Sequence, residues 1–350
     1  YQVNKGISIA RGDYIAIVET DDFIDEGMFD ELIKVVEKTN ADYVKGEYKE
    51  FYTLNHGNKI WKESKTFESV DMYECIMDPH DCITVYRNDC NLWRGIYRRE
   101  FLITNRIFLN ETDGAAFQDI GFMEKVLTYA HRAWYIQKPF YWYRRGRDGS
   151  SVNSEKAFIN VYREFKTLSE WMKNDPPVYR KGLYIHMVLS FLHEYSNSIF
   201  HMKTDVEESE IVEYRNWFRK EIKKALNENW IERYDFSTEE FDALEKVLAD
   251  PMVFFEEKRA EGNEYENVYK VLDKIEGKEA VIFGAGYWGM QVLKYINNNS
   301  DCHIQVLVDN EPESARIGGV RVLRPEECVR LYPDALCIVA NRKHGEEMRI

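Results

Sequence analysis

The sequence contains no apolar run approaching the roughly 20 residues that a helix needs to cross a bilayer, and no charged-then-apolar segment opens it. No spanning helix is expected among these residues. The six cysteines, Cys75, Cys82, Cys90, Cys302, Cys328 and Cys337, include no C-x-x-C pair and no zinc-like spacing, so the expectation is reduced, buried thiols in a cytoplasmic protein. His80 lies near Cys82, but one such pair is too little to specify a metal. Positive charge is scarce: 47 Lys and Arg stand against 61 Asp and Glu, a formal net charge of -14. A broad nucleic-acid surface needs clustered Lys and Arg, so no nucleic-acid partner is expected.

What is present organises around Tyr14-Ile-Ala-Ile-Val-Glu-Thr-Asp-Asp22. A short, mostly apolar run reads as a buried strand of a parallel sheet. It stops at Glu19, Asp21 and Asp22, which would stand where open α/β sheets bind ligands, at the carboxyl ends of their strands. Crowded carboxylates repel one another unless a cation intervenes, and Mg²⁺ or Mn²⁺ with substrate phosphates is the usual partner of such a group. An acidic strand-to-helix turn, with Asp25 capping the amphipathic stretch Gly27 to Thr39, explains the same residues without a ligand.

The rest follows in chain order. Residues 4 to 13 suit a short helix, and Asp42 to Tyr52 reads as a second strand, so strand and helix alternate as in a parallel α/β sheet. Residues 53 to 90 form a long excursion with a short helix near Val70 to Met77. Leu92 to Tyr97, which carries Trp93, is a further strand, and Arg98 to Leu102 a short helix. A polar loop then delivers Asp119 to the start of a helix with apolar Ile120, Met123, Val126, Leu127 and Ala130; a carboxylate there serves either as a cap or as a general base held by a rigid element. Pro139 to Ser151 packs four aromatics against Arg144, Arg145 and Arg147 and ends on Ser150 and Ser151, a composition suited to phosphate oxygens and sugar or base rings, or to an edge strand with solvated arginines.

Helical periodicity dominates from about Ser154 to Ile275, with helices over Ala157 to Lys173, Val178 to Met202, Val206 to Asn227, Glu239 to Leu248 and Tyr265 to Ile275. His186 and His193, seven apart, read as core or interface histidines rather than ligands. At Lys278 the α/β pattern returns: a strand from Ala280 runs into Gly284-x-Gly286-x-x-Gly289, followed by a helix through Ile296 and a strand, Ile304 to Val308, that ends at Asp309. The acid lies 20 residues beyond Gly289, the placement of a carboxylate that bonds a ribose hydroxyl. A third strand, Ala335 to Val339, extends the sheet. The fold class read from these patterns is α/β, with domains at 1-153 (partial sheet domain), 154-276 (helical) and 277-350 (Rossmann-like). Tyr1 at the start, and Ile350 partway through a βα unit, give the expectation of a fragment at both ends.

The order Asn4-x-Gly6-Ile7, Ala10-x-Gly12-x-Tyr14-Ile15, Glu19-Thr-Asp-Asp22, Gln118-Asp119, then Tyr141-x-Tyr143-Arg144 and Ser150 resembles the family 2 glycosyltransferases of bacterial polysaccharide synthesis, over about residues 1 to 155. The resemblance implies a GT-A fold and inverting transfer from a nucleotide-diphosphate sugar, a UDP-sugar in the first instance, to a glycan or lipid-linked acceptor. It implies Mg²⁺ or Mn²⁺ at Asp21 and Asp22, with Glu19 where the family usually has Asp, and Asp119 as general base, with Gln118 replacing the family's Glu. Asn4, Gly6, Trp93, Arg144 and Ser150 are the implied substrate contacts. The setting it implies is the cytoplasm, with room for peripheral contact at the inner membrane face. Val3 stands where the family commonly has Arg, and the family's first strands would precede Tyr1. The tail, with Phe283-Gly-Ala-Gly286, Val308-Asp-Asn310, Gly318-Gly-Val320 and Arg324-Pro-Glu-Glu327, resembles Rossmann-like modules attached to bacterial sugar-modifying transferases; Gly284, Gly286, Gly289 and Asp309 are its candidate contacts, for a nucleotide sugar, another nucleotide or dinucleotide, or no ligand. Two other readings stand beside the transferase: a nicotinamide-dependent oxidoreductase or epimerase centred on that loop, against which no Tyr-x-x-x-Lys pair follows it, and a non-catalytic binding or scaffold fragment.

Overall fold

The structure is a computed structural model, which describes residues 1–53, 59–111, 116–145, 157–174, 179–201, 209–259, 275, 278–286, 288–290, 292, 293, 296, 302–312, 315–317 and 320–340. The chain divides into two compact units. The first comprises residues 1–48, 64–142 and 147–262, and the second residues 49–63, 143–146 and 263–350. The helices that the sequence reading set apart thus share a unit with the first sheet.

That sheet contains β1 (Tyr14–Ala16), β2 (Phe23–Ile24), β3 (Tyr43–Thr53), β4 (Lys59–Ser64), β5 (Gly95–Arg98) and β6 (Ala133–Arg144). Its order is β1-β5-β3-β6-β2, with β4 paired to β3. β1 runs antiparallel to β5, β5 to β3 and β2 to β6. The sheet is therefore mixed and largely antiparallel, as the resemblance to a GT-A fold implies, and not the parallel sheet that strand–helix alternation alone suggests. β1 is an outer strand, not an interior one: only Ile15 of its three residues is buried, and Val18 beyond it is exposed. Pro139 to Arg144 lies in β6, between β3 and β2, so the edge-strand reading of that stretch is also corrected. The period-2 pattern located the strands correctly, but a few residues each cannot distinguish parallel from antiparallel partners.

Eight of the helices that frame this sheet are α1 (Gln2–Ile9), α2 (Met28–Thr39), α3 (Ile83–Asn88), α4 (Arg99–Thr104), α5 (Gln118–Tyr129), α6 (Ala157–Asn174), α7 (Arg180–His201) and α8 (Ser209–Asn227); a ninth, α9 (Thr238–Ala249), completes the series. α2 starts from Gly27 in a left-handed conformation, not from Asp25, whose carboxylate instead accepts the Trp142 indole N–H at 2.7 Å. β4 and α3 both lie in the stretch read as an excursion. The helices α6 to α9 match their expected spans to within a few residues because long 3.6-residue periodicity is the strongest local signal. Their core is aromatic, with Phe191 and Phe218 stacked at 3.7 Å and Phe158, Tyr195 and Tyr214 around them. Among the described residues no helix is long and apolar enough to cross a membrane.

The second unit holds β7 (Glu279–Phe283), β8 (His303–Val308), β9 (Arg316–Ile317), β10 (Val320–Leu323) and β11 (Leu336–Val339), in the order β11-β7-β8-β10-β9. β11, β7, β8 and β10 are mutually parallel, and β9 is an antiparallel edge. In chain order the parallel strands lie 3-2-1-4, the Rossmann arrangement, whose switch point falls between β7 and β11. The third strand expected from the sequence is β11, which extends the sheet by pairing with β7, while β10 lies on the other side, beside β8. The α/β class expected from the sequence is the one observed. The predicted helix over Tyr265 to Ile275 lies outside the described residues except for Ile275.

Candidate functional site

The first unit holds a fully buried ionic network that sequence reading does not find. Lys45 on β3 donates to Asp89 Oδ1 at 2.7 Å and to the Asn91 carbonyl at 2.6 Å. Arg94 donates to the same Asp89 oxygen at 2.8 Å, to Glu47 Oε2 at 3.2 Å and to the Gly46 carbonyl at 2.7 Å. Tyr135 donates to Asp89 Oδ2 at 2.6 Å. Burying charge is costly unless each group is paired and hydrogen-bonded, and here each is. Burial pushes the Lys45 ammonium down to about 8 against the opposing pull of Asp89. Burial works to raise Asp89, but Arg94 and Lys45 hold it below the usual carboxylate range.

Helix α5 packs over this network. Met123 Sδ contacts Lys45 Nζ at 3.3 Å and the Tyr97 hydroxyl at 3.4 Å, and Phe122 meets the Tyr97 ring edge-on. Its start is set by Phe117, which takes the left-handed φ of 63°. Such a conformation is uncommon for an aromatic residue and costs about 1–3 kcal/mol. Asp119 is the second helical residue, not the cap, and its Oδ1 accepts the Ile120 N–H at 3.1 Å. Burial pushes its carboxyl up to about 6, while backbone N–H groups and the charges of His186 and Lys45 draw it back.

His186 is buried, as expected. Its Nδ1 lies 2.5 Å from Glu124 Oε1, and although burial works against the charged form, hydrogen bonds with Cys90 and Glu124 push the imidazole up to about 10. His193 is 68% exposed, so the core reading fails there. Cys90 and Cys337 are exposed and all six thiols are free, so the expectation of buried thiols holds for Cys82, Cys302 and Cys328.

Among the acids of the cluster, Glu19 is tied to both others that matter electrostatically. Burial of part of its carboxyl raises its pKa first, and the negative charges of Asp119 and Asp22 raise it further. The Tyr141 hydroxyl accepts the Glu19 N–H at 3.0 Å and donates to Asp22 Oδ2 at 2.9 Å. Trp93 stacks on the Tyr141 ring at 4.5 Å and is itself buried. The structure thus brings Glu19, Asp22, Asp119, Tyr141 and Trp93 into one electrostatic and packing neighbourhood; Asp21 is exposed on the same turn.

Other candidates sit differently. Asn4 exchanges hydrogen bonds with the Leu109 backbone at 2.8 and 2.9 Å and reaches Glu111 at 3.2 Å, so it fastens α1 to the chain that leads into α5. Gly6 has open space around it. Arg144 belongs to the second unit, where its guanidinium lies 5.2 Å from the Phe51 ring centroid. Ser150 lies outside the described residues. In the glycine loop, Gly284 has φ +104°, and a Cβ on Gly289 would meet the Gly284 carbonyl at 1.8 Å, so both glycines are required by the backbone itself; Gly286 has nothing within 4 Å. Asp309 Oδ2 accepts the Ala285 N–H at 3.0 Å and Oδ1 the Glu311 N–H at 3.1 Å.

Residues 1–87 match the family model described as Glycosyl transferase family 2. Glycosyltransferase GlyG of Streptococcus pneumoniae is 25% identical over 226 residues, covering 61% of this chain and 70% of that protein. Uncharacterized glycosyltransferase YibD of Escherichia coli is 24% identical over 182 residues, 47% of this chain and 50% of that one. The chain spans 40% of the length of a third curated relative, uncharacterized glycosyltransferase EpsJ of Bacillus subtilis, at 25% identity. Among solved structures, residues 1-349 of S. aureus TarS give a TM-score of 0.48 at 14% identity, covering 75% of this chain and 69% of that one. The family model thus matches about the first quarter of the chain, and each of the three curated relatives is named as a glycosyltransferase.

Proposed function

We propose that this chain carries the catalytic part of an inverting glycosyltransferase that moves a sugar from a nucleotide-diphosphate donor, UDP-linked in the first instance, to a hydroxyl of a glycan or lipid-linked acceptor. The observation that carries this reading is the convergence of two functions on one neighbourhood: a carboxylate cluster at Glu19 and Asp22, and a separate carboxylate, Asp119, pushed up to about 6 at the start of a rigid helix. A general base works best with a pKa near the operating pH, and at neutral pH Asp119 is ionised and ready to accept a proton.

In this mechanism the acceptor hydroxyl approaches Asp119, which takes its proton as the oxygen attacks the anomeric carbon. The bond to the nucleotide diphosphate breaks on the opposite face, so configuration inverts. Asp119 stays in place because α5 is packed on Lys45 and Tyr97 through Met123 and Phe122. Tyr141 holds the Asp22 carboxylate and the Glu19 backbone in a fixed relation.

The donor chemistry of the acidic turn suits a divalent ion, although the oxygens of Glu19, Asp21 and Asp22 do not all lie within 4.8 Å of one another. All three offer hard oxygen donors; burial raises Glu19 first, and the added repulsion from Asp119 and Asp22 is the kind a cation relieves. These three would hold Mg²⁺ or Mn²⁺, which when bound supplies positive charge against the leaving diphosphate. The test is calorimetry of the chain with UDP and Mn²⁺, followed by release of UDP from a panel of UDP-sugars. Metal-dependent binding that disappears in Asp21→Asn supports the cluster, and UDP-sugar turnover that survives Asp119→Asn removes the base assignment.

A second reading is confined to the second unit, where the 3-2-1-4 strand order favours a nucleotide or dinucleotide above β7 and β11. In that reading the ligand competes with Ala285 and Glu311 for the Asp309 carboxylate.

A further inference from the structure

Asp78, His80 and His131 each offer one ligand atom, and these atoms all lie within 4.8 Å of one another; among the described residues no other group of His, Cys, Asp and Glu does this. The group lies in the first unit and plays no part in the transfer mechanism above. We propose that it is a transition-metal site of the Zn²⁺ class, which ties the C-terminal end of α5 to the turn at residues 78–81.

The backbone around the group is fixed without any ion. Asp78 caps the short turn of 3-10 helix Pro79–Asp81 by accepting the His80 N–H at 3.0 Å. Met77 and Ala133 exchange two backbone hydrogen bonds, at 2.8 and 3.1 Å. Asp42 Oδ2 accepts the N–H groups of both His131 and Arg132 at 3.0 Å. Three segments distant in sequence are therefore held together before any side chain binds a ligand.

The hydrogen-bond geometry of His80 turns its Nδ1 toward the group. Its Nε2 lies 3.1 Å from the Thr128 carbonyl, which can only accept, so Nε2 carries a hydrogen. In the neutral ring Nδ1 is then a bare lone pair, and it lies 3.3 Å from Asp78 Oδ1, a second acceptor. Both atoms are lone-pair donors of the kind a metal ion accepts, and they lie close enough together to share one. His131 Nδ1 approaches the other carboxylate oxygen at 2.8 Å. Metal-bound histidines commonly donate their second ring N–H to a backbone carbonyl, which fixes tautomer and orientation, and His80 does this. The Tyr179 ring, 4.8 Å away, packs against the same imidazole.

Two imidazoles and one carboxylate select a borderline ion over Mg²⁺ or Ca²⁺, which prefer oxygen alone. Ligands about 2.0–2.1 Å from a tetrahedral ion lie about 3.3 Å apart, so modest side-chain movement completes the site. Three protein ligands leave a fourth position open to water, on the side where His131 is 68% exposed.

The test is calorimetric titration of the metal-free chain with Zn²⁺, with thermal unfolding alongside. His131→Ala is the variant of choice, because an exposed side chain is replaced and the Asp78 cap and the acidic cluster are left intact. The expected result is one Zn²⁺ equivalent whose affinity falls about tenfold or more in His131→Ala and in His80→Ala, and whose stabilising effect on unfolding vanishes with it. Co²⁺ in place of Zn²⁺ should give a visible spectrum that both variants lose. Zn²⁺ binding unchanged in His131→Ala, or absent from the wild type, would overturn the proposal and leave a hydrogen-bonded His–Asp cluster. Neither result bears on Asp21 or Asp119.

Discussion

The Tyr141 hydroxyl donates to Asp22 Oδ2 at 2.9 Å while the same oxygen accepts the Glu19 N–H. An interior strand of the sheet thereby fixes both ends of the acidic turn. Tyr141→Phe removes both bonds and leaves the ring stacked on Trp93. A hydrogen bond to a charged group contributes about 1.5–3 kcal/mol, so urea unfolding should show a loss of roughly 1–3 kcal/mol. UDP–Mn²⁺ binding should weaken severalfold because the turn is no longer held. Unchanged binding with reduced stability would confine Tyr141 to a structural role.

Asp119 should set an ascending limb in the pH dependence of transfer. Its carboxyl is pushed up to about 6, and a base acts only when ionised, so the rate should rise through about pH 6 and level off above it. The sign for stability is the reverse. The folded-state pKa is raised above the unfolded value, so the folded chain binds the proton more tightly, and stability falls as pH rises from about 4 through about 6. Asp119→Asn should therefore abolish turnover and at pH 7 raise stability by about 3 kcal/mol, since the amide can still accept the Ile120 N–H. A loss of folding on this substitution would instead show that the carboxylate holds the helix start.

How much of this was legible in the sequence depends on the range of the interaction. α6 to α9 repeat an apolar period over many residues, and their spans were read closely. β1 was placed correctly and given the wrong neighbours, because an apolar run of a few residues is the same in parallel and antiparallel sheets. Motif order offers Asp119, the acidic turn and Tyr141 as candidates, but no local pattern shows that the Tyr141 hydroxyl bonds Asp22 and the Glu19 N–H. Lys45, Asp89 and Arg94 are separated by up to 49 residues and carry no local pattern; only the fold brings them together. His80 lies near Cys82 in the sequence, whereas its neighbour in space is His131, whose ring centroid is 5.2 Å away.

The buried network yields a sharper stability prediction than the acidic turn. Asp89 alone faces both Lys45 and Arg94, all three of them inaccessible to solvent. Asp89→Asn preserves shape and removes the counter-charge, leaving two buried cations with Glu47 as their remaining acid. Breaking a buried pair from one side costs about 3–5 kcal/mol, so denaturant unfolding at pH 7 should shift by that amount. A loss below 1 kcal/mol would mean that water reaches Lys45.

In the second unit, the glycine loop offers a way to separate architecture from ligand binding. A Cβ on Gly289 would lie 1.8 Å from the Gly284 carbonyl, so Gly289→Ala forces the helix start away from the loop. Overpacking of this kind costs typically 1–3 kcal/mol, and unfolding should report it whether or not a ligand binds. Asp309→Asn acts differently: the side-chain oxygen can still accept one backbone N–H while the charge is lost, so stability should change by less than about 1 kcal/mol. If a nucleotide ribose binds there, its affinity should fall about tenfold in Asp309→Asn, read by calorimetry with NAD or a UDP-sugar in an Asp21→Asn background so that the acidic turn does not contribute. If Asp309→Asn is as destabilising as Gly289→Ala and no ligand binds either chain, the carboxylate serves only to close its own loop.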